Sequence, residues 1–559
     1  MSRSHKDDPA VKREVAAGTQ SAEDTRCANG GGAAGELAQA VGLWVERTES
    51  ELAKACTLAG LVKVLLPRLY ALGVVILQAV LEQRDAKWRD PKQEVACPKC
   101  GQAMKKKKNR VAIKRKTRIG EVAHQRSVWG CEACGHTCVP VDVVLQVGGG
   151  ANRHESGFVS LLLHMVTALQ FAKGCELFER STGVEVSTQL AQGLVDAVGG
   201  EMLSAEMTRA EEVWQLQFKR PELFLPGGER FVGRLRPGTV YLMEDNSKVG
   251  IHEGPRGRGA PEGKRTHYLD RLGKHEKGKR VREDKCGAGH WHDDGTDDRP
   301  GEEAGPSGYR DVRALILFRA VDLKEGKGGR RYIERKVIRS HIGTAEEWKK
   351  LVHLALYEAG VFWAQRIVII ADGGQGIWEL MADLLPKTPG RTVVQILDWC
   401  HAVSHLWKVA TAYKGSKTPQ QRSAARKWLG SLLDELHAGR PSVVLQRLRN
   451  CPTDKAVASD FADTLRKCID YFDKHSERML YGRFRKAGLL IGSGPIESVH
   501  AWAIQPRLRL PGMRWSVAGA NRMLRLRCSW ASGTWDADIA TALEALLKKP
   551  TKRKEGAAM

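Results

Sequence analysis

The chain has 559 residues, with 89 Lys+Arg against 65 Asp+Glu and a formal net charge of +24. Its 42 % hydrophobic and 28 % charged content is that of a globular chain, which excludes global disorder, a collagen-like repeat, a coiled-coil rod and a minimal disulfide scaffold. A positive excess of this size calls for a polyanionic partner, and the length allows about three or four domains of ordinary size.

Residues 1–35 are polar and Gly/Ala-rich and read as a disordered leader, without the apolar core of a signal peptide. Residues 36–95 read as a helical region, with Leu61, Val64, Leu65, Leu69 and Leu72 at helical spacing. Its most apolar run, Leu58 to Leu81, is interrupted by Lys63, Pro67, Arg68 and Gln78, short of the ~20 uninterrupted residues of a bilayer span. The expectation is a cytoplasmic protein with no membrane partner.

Residues 96–142 hold two knuckles, Cys97-Pro-Lys-Cys100 and Cys131-Glu-Ala-Cys134. Each lets two thiolates approach one ion from a tight turn, so the pair completes a tetrahedral four-sulfur site for one structural Zn²⁺. The alternating segments between them predict a hairpin, and the module reads as a zinc ribbon. Residues 101–130 carry six Lys and four Arg against one Glu. Lys105, Lys106, Lys107, Lys108, Arg110 and Arg115 are therefore candidate phosphate contacts on a surface held rigid by the metal.

Residues 150–222 are helical again, and a turn at Gly183 followed by a Ser187-capped helix suits a helix-turn-helix as well as two packed helices. From 236 to 403 the pattern changes to strands. VYLMED (240–245), RALILFRAVDL (313–323) and RRYIERKVIRSHI (330–342) read as β; a helix from Ala345 to Ala359 follows; then strand RIVIIAD (366–372), a helix at Ile377 to Leu385 and strand TVVQILD (392–398). The order predicts a mixed α/β sheet. Residues 253–308, Gly-rich and charged, read as a flexible insert whose Cys286, His290, His292 and Asp293 are possible metal ligands. Residues 404–486 read as an all-helical insertion, 487–548 as a return to the α/β domain, and 549–559 as a basic tail. The chain has no GxxxxGK[ST] phosphate loop, which argues against an ATP-driven motor.

Three acids stand at element ends: Asp245 after VYLM, Asp372 after RIVIIA, and Glu497 in GSGPIES near a helix start. Brought together they would repel one another unless divalent cations neutralise them, and hard oxygen ligands suit two Mg²⁺ or Mn²⁺ ions. Taken singly, each reads more readily as a structural turn former or helix cap than as a catalytic group. Asp398 also ends a strand and is a rival second acid, while His401 and His405 share one helix face beside it. After Glu497, Arg507, Arg509, Arg514, Arg525 and Arg527 surround Trp515 and Trp530; the tryptophans are expected in the core and some of the arginines on phosphate.

RIVIIADGGQGIWELMADLLP, TVVQILDWCHAVSHLW, GLLIGSGPIESVHAWAIQPRLRLPGMRW and ANRMLRLRCSWASGTWD together resemble bacterial insertion-sequence transposases of the ISKra type, over most of residues 90 to 540. The resemblance implies a DDE transposase with an RNase H-like catalytic domain, interrupted by the helical insertion and preceded by the ribbon. It makes Asp245, Asp372 and Glu497 the metal-binding triad and likens Asp398-Trp-Cys-His401 to the family's [C/D]xxH element. It further implies double-stranded DNA as partner (element ends and target), a homodimer or larger assembly on that DNA, and a bacterial, nucleoid-associated setting. One departure is plain: the family carries Asp-Gly at the first acid, where this chain has Met-Glu-Asp-Asn-Ser-Lys. An inactivated or domesticated zinc-ribbon DNA-binding protein is the alternative reading, and a stand-alone nuclease or junction resolvase a third.

Overall fold

The computed structural model describes residues 33–55, 57–225, 238–252, 307–385, 388–510 and 513–549. The expected leader, the 253–308 insert with its Cys286–Asp293 cluster, and the basic tail lie outside those residues except at their margins. The chain divides into two compact units.

The first unit contains residues up to Leu161 and the segment Glu176–Val186. Helices α1 (Ala33–Leu52) and α2 (Leu58–Arg89) pack through Trp44, whose Nε1 donates to the Arg68 carbonyl at 2.7 Å. Thr57 caps α2 by accepting from the Gly60 amide, and the helix runs on through Pro67. That continuity changes the sequence expectation. By length and composition α2 is apolar enough to cross a membrane, with mean hydropathy 2.0 over its most apolar window. Its C-terminal half is nevertheless fastened to protein. Asp85, fully buried, accepts from the Ser127 amide at 3.0 Å and the Ser127 hydroxyl at 3.2 Å, and Arg89 donates to it at 2.9 Å.

Strands β1 (Lys105–Thr117) and β2 (Gly120–Gly130) form the expected antiparallel hairpin, from Lys105↔Gly130 to Thr117↔Gly120, and β3 (Thr137–Cys138) adds to β2. The hairpin turns at Gly120 with φ +151°, where a Cβ would lie 2.5 Å from Val74 of α2, so only glycine fits. Val95, Met104, Trp129 and Cys138 form a small core around the cysteines. A core that size supports little structure alone, which fits a module stapled by metal.

The second unit contains Leu162–Cys175 and Ser187–Lys549. Five strands, β4 (Thr239–His252), β5 (Ser307–Arg319), β8 (Val337–His341), β9 (Arg366–Ala371) and β10 (Thr392–Leu397), lie in the order β10-β9-β4-β5-β8. Neighbours β10, β9 and β4 are parallel; β4, β5 and β8 are antiparallel. Strand β9 is buried at every position after Arg366, which is why it reads as a continuous apolar run instead of an alternating one. Helix α8 (Ala345–Glu358), closed by a Thr344/Glu347 capping box, lays Trp348, Leu351, Val352 and Ala355 on the face formed by Val240, Leu242, Leu315, Leu317, Ile367 and Ile369.

Two strand expectations change. The segment 313–323 ends as a strand at Arg319, and 330–342 splits into β7 (Arg331–Ile333) and β8, with β7 pairing to β6 (Leu323–Glu325). The cause is Asp322, almost fully buried, which accepts from Arg319 Nε at 2.7 Å and Arg335 Nε at 3.0 Å and draws the chain into a turn. Strand β4, conversely, continues past Asp245 to His252 as a ribbon with β5. Its parallel pairing with β9 stops at Met243↔Ile370, so Asp245 stands where the three-stranded parallel part of the sheet ends.

Between β10 and Glu497 the chain is helical, as expected: α10 (Trp399–Lys414), α11 (Pro419–His437), α12 (Pro441–Arg449), α13 (Phe461–His475) and α14 (Tyr481–Lys486). The block is tied back to the sheet where it leaves and returns. The Trp399 amide donates to the Ile491 carbonyl at 3.0 Å, and the Tyr481 hydroxyl donates to the Leu397 carbonyl at 3.0 Å.

Candidate metal centre and carboxylate site

The four cysteines converge. Sγ atoms of Cys97 and Cys134 lie 3.6 Å apart, and Cys100 lies 3.5 Å from both Cys131 and Cys134. Four thiolates at ~2.3 Å around one tetrahedral ion stand about 3.8 Å from each other, so the group fits zinc. The two knuckles repeat one geometry: Gly101 and Gly135, at φ +75° and +70°, donate back to the Cys97 and Cys131 carbonyls at 2.9 and 3.0 Å. Cys138 is buried beside the group and outside it.

On the hairpin, Lys105, Lys107, Lys108 and Arg110 are exposed, with Lys105 2.9 Å from Glu132. Lys106 is half-buried; its Nζ donates to the Arg89 carbonyl at 2.8 Å. Arg115 is a correction. It is buried, paired with Asp142 at 2.6 Å and donating to the Arg153 carbonyl at 2.8 Å, so it braces the module and has no face for phosphate.

In the second unit the sheet brings the acids to one region. Asp245 is about a third exposed; its Oδ1 accepts from the Asn246 amide at 2.8 Å, and its Oδ2 lies 3.2 Å from His500 Nε2. Asp372 follows β9 in a Gly-rich turn where the Gly374 amide donates to its Oδ1 at 3.0 Å, while Tyr471 of α13 donates to its main-chain carbonyl at 2.6 Å. Glu497 is exposed on α15 (Gly494–Val499) and accepts from Ser493 Oγ at 3.2 Å.

Asp398, the rival second acid, is fully buried and its oxygens are committed. It caps α10 by accepting from the His401 amide at 3.0 Å, takes His401 Nδ1 at 3.1 Å, and accepts the Ser493 amide at 2.6 Å. Burial alone would raise its carboxyl, but these donors win and hold it below the usual range. His401 is half-exposed. Burial would lower its imidazole, but the bond to Asp398 and the charges of Asp372, Asp398 and Asp245 raise it. Those same charges mark where His401 sits: among the acids. Asp398, Cys400 and Glu497 each offer a ligand atom within 4.8 Å of the others, the one such group containing carboxylates among the described residues; Asp245, Asp372 and Glu497 are not drawn that close. Burial and the two neighbouring carboxylates push the Cys400 thiol up to about 11, so it stays protonated at neutral pH.

Beside Asp245, Glu244 points to the opposite face, accepts from Trp348 Nε1 at 2.7 Å and is raised to about 7, by burial first and then by Asp372 and Asp245. His405 stacks on Tyr471 at 3.9 Å, which makes it a buttress of the Asp372 turn.

Three of the arginines after Glu497 are interior groups, against expectation. Arg507 is fully buried and donates to the Val166 carbonyl at 2.9 Å; burial lowers it to about 10. Arg527, also buried and lowered to about 10, donates to the carbonyls of Thr167, Ala503 and Trp502. Arg525 is paired at 3.2 Å with both Glu206 and Asp538. Arg514 is exposed and Arg509 half-buried. Helical spacing in a basic segment cannot tell a phosphate contact from a buried guanidinium bonded to main chain. His500 was missed for a related reason: its role depends on β4, which is distant in sequence.

No family model matches the chain, and no curated protein does. Among solved structures it is similar to a Drosophila P element transposase strand transfer complex at 10 % identity and TM-score 0.29, covering 67 % of this chain and 91 % of that one. A superposition that loose assigns no residue a role.

Proposed function

We propose that this chain is a DNA transposase of the DDE kind, acting in a bacterial cytoplasm on the ends of an insertion sequence. The observation that carries the reading is the sheet: a β10-β9-β4-β5-β8 order, parallel on one side of β4 and antiparallel on the other, with one acid on β4 and one after β9. That is the arrangement expected of an RNase H-like domain. Asp245, Asp372 and Glu497 would hold Mg²⁺ or Mn²⁺, which when bound neutralise charge on the phosphodiester and activate the attacking oxygen. The chain's own groups do the positioning. His500 and the Asn246 amide orient Asp245, the Gly374 amide and Tyr471 fix Asp372, and Ser493 steers Glu497. The His401 and Ser493 amides already taken by Asp398 favour Asp372 as the second acid, while the closeness of Asp398 to Glu497 favours Asp398. Lys105, Lys107, Lys108, Arg110 and Arg514 are the exposed cations proposed to hold the duplex, and pairing of two ends calls for at least a dimer.

The test is strand transfer from element-end DNA into supercoiled plasmid with Mg²⁺. Wild type is expected to cleave and join; Asp372→Asn and Glu497→Gln are expected to bind ends without cleaving. Cleavage surviving in either variant sinks the assignment of that acid. End binding without cleavage by wild type itself favours the domesticated DNA-binding protein, the reading that the altered Met-Glu-Asp-Asn-Ser-Lys segment supports.

A further inference from the structure

We propose that the β6–β7 ribbon grips the phosphates of duplex DNA at a distance from the carboxylates, an inference that rests on the transposase reading above. The segment Lys324–Arg331 carries four cations, Lys324, Lys327, Arg330 and Arg331, against one carboxylate, Glu325, and all four cations are exposed. None of the four has an ion pair among the described residues, whereas other exposed cations of the same unit are shared out to acids, as Arg466 and Lys467 are to Asp463. Like charges held this close repel one another, and a polyanion relieves that repulsion.

The ribbon is held rigidly although it has no core of its own. Its strands pair only with each other, from Leu323↔Ile333 to Glu325↔Arg331, and an isolated two-stranded hairpin is marginal in water. The anchor is at the base. Asp322, 2 % exposed, takes Arg319 Nε at 2.7 Å from the strand before and Arg335 Nε at 3.0 Å from the segment after, and its carbonyl accepts the Glu334 amide at 2.8 Å. Gly328 and Gly329, at φ +76° and +74°, close the turn and leave Lys327 as the only side chain between Glu325 and Arg330. So thin a tip lets the backbone approach a phosphate closely. Tyr332, 53 % exposed opposite Lys324, adds a hydroxyl that can donate to phosphate.

Strand register sets the distance. On the β4–β5 ladder Asp245 faces Ala314 and Val240 faces Arg319, so the ribbon springs from the end of the sheet away from the carboxylates. Five residues at ~3.4 Å put its base about 17 Å from Asp245, the length of roughly five base pairs. Its cations therefore meet the duplex away from the reacting phosphate, on a surface separate from the zinc-ribbon hairpin. A grip on the backbone carries no base information, so element ends and target DNA are equally open to it.

The experiment uses full-length chain with Lys324→Ser, Lys327→Ser, Arg330→Ser and Arg331→Ser combined, leaving Arg319 and Arg335 on Asp322. Affinity for element-end and unrelated duplexes is measured against salt concentration. Loss of two to three phosphate contacts should reduce the slope of log affinity against log salt by about 2 to 3. Near 0.1 M salt it should weaken binding of both duplexes by about 50- to 500-fold. Arg330→Lys with Arg331→Lys should keep the wild-type slope, since charge and not guanidinium shape is what counts. Hydroxyl-radical footprints on element ends should lose protection about five or more base pairs from the cut. An unchanged urea midpoint in the fourfold variant shows the fold is intact, as the exposure of the four side chains demands. Wild-type slope and affinity in that variant, or protection lost only beside the cut, overturns the ribbon's role while wild type still cleaves. Wild type that binds duplex and never cleaves ends overturns the transposase reading and leaves the grip standing; wild type that binds no duplex overturns both.

Discussion

Arg527 separates two physical accounts of the basic segment after Glu497. On a surface it would hold phosphate; in this structure it is 1 % exposed and bonded to three main-chain carbonyls, those of Thr167, Ala503 and Trp502. Arg527→Met keeps the volume and removes every donor. Each orphaned buried carbonyl costs about 1–3 kcal/mol, but relaxation and shared strain keep such losses from adding in full. The expected destabilisation is therefore about 3–5 kcal/mol, a large part of the ~5–15 kcal/mol that a domain has in total. The assay is urea unfolding followed by tryptophan fluorescence, with end binding measured on the folded fraction at low temperature. Arg514→Ala is the control: an exposed side chain whose loss should leave the midpoint unchanged and weaken DNA binding. A wild-type midpoint in Arg527→Met combined with lost DNA binding would refute the interior account and return Arg527 to the surface.

Two further outcomes follow from burial and from the thiolates. The purified chain should carry one zinc per molecule; chelation or Cys97→Ser should release it and strip hydrogen-exchange protection from Lys105–Gly130 while the five-stranded sheet keeps its own, and a protein that folds its hairpin with no bound metal refutes the centre. His353, 2 % exposed among Trp214, Phe224 and Phe362, is lowered to about 4 by burial. The unfolded chain, with an ordinary value near 6.5, binds the extra proton between these values, so stability is full above about 6.5 and falls as pH drops toward 4, by up to about 3 kcal/mol. His353→Leu should flatten that part of the curve; an identical pH profile in the variant would mean the ring is not held neutral.

Much of this protein is written in short-range pattern. The paired CxxC knuckles with their alternating hairpin, the continuous apolar run of β9, the Ala345–Glu358 helix with its capping box, and the helical block after β10 are all set by spacing and local chemistry, which the chain carries wherever it folds. So are the element-end acids as types. What tertiary structure decided is which polar groups face inward. Asp322 breaks a strand because two arginines meet it, and Asp398 becomes a buried cap because Ser493, distant in sequence, donates to it. Arg115, Arg507, Arg525 and Arg527 leave the surface because carboxylates and carbonyls from remote segments receive them. The net charge of +24 is fixed by composition alone. How much of it can meet a phosphate is not, because a guanidinium's surroundings come from long-range packing and a charge count holds no information about that packing.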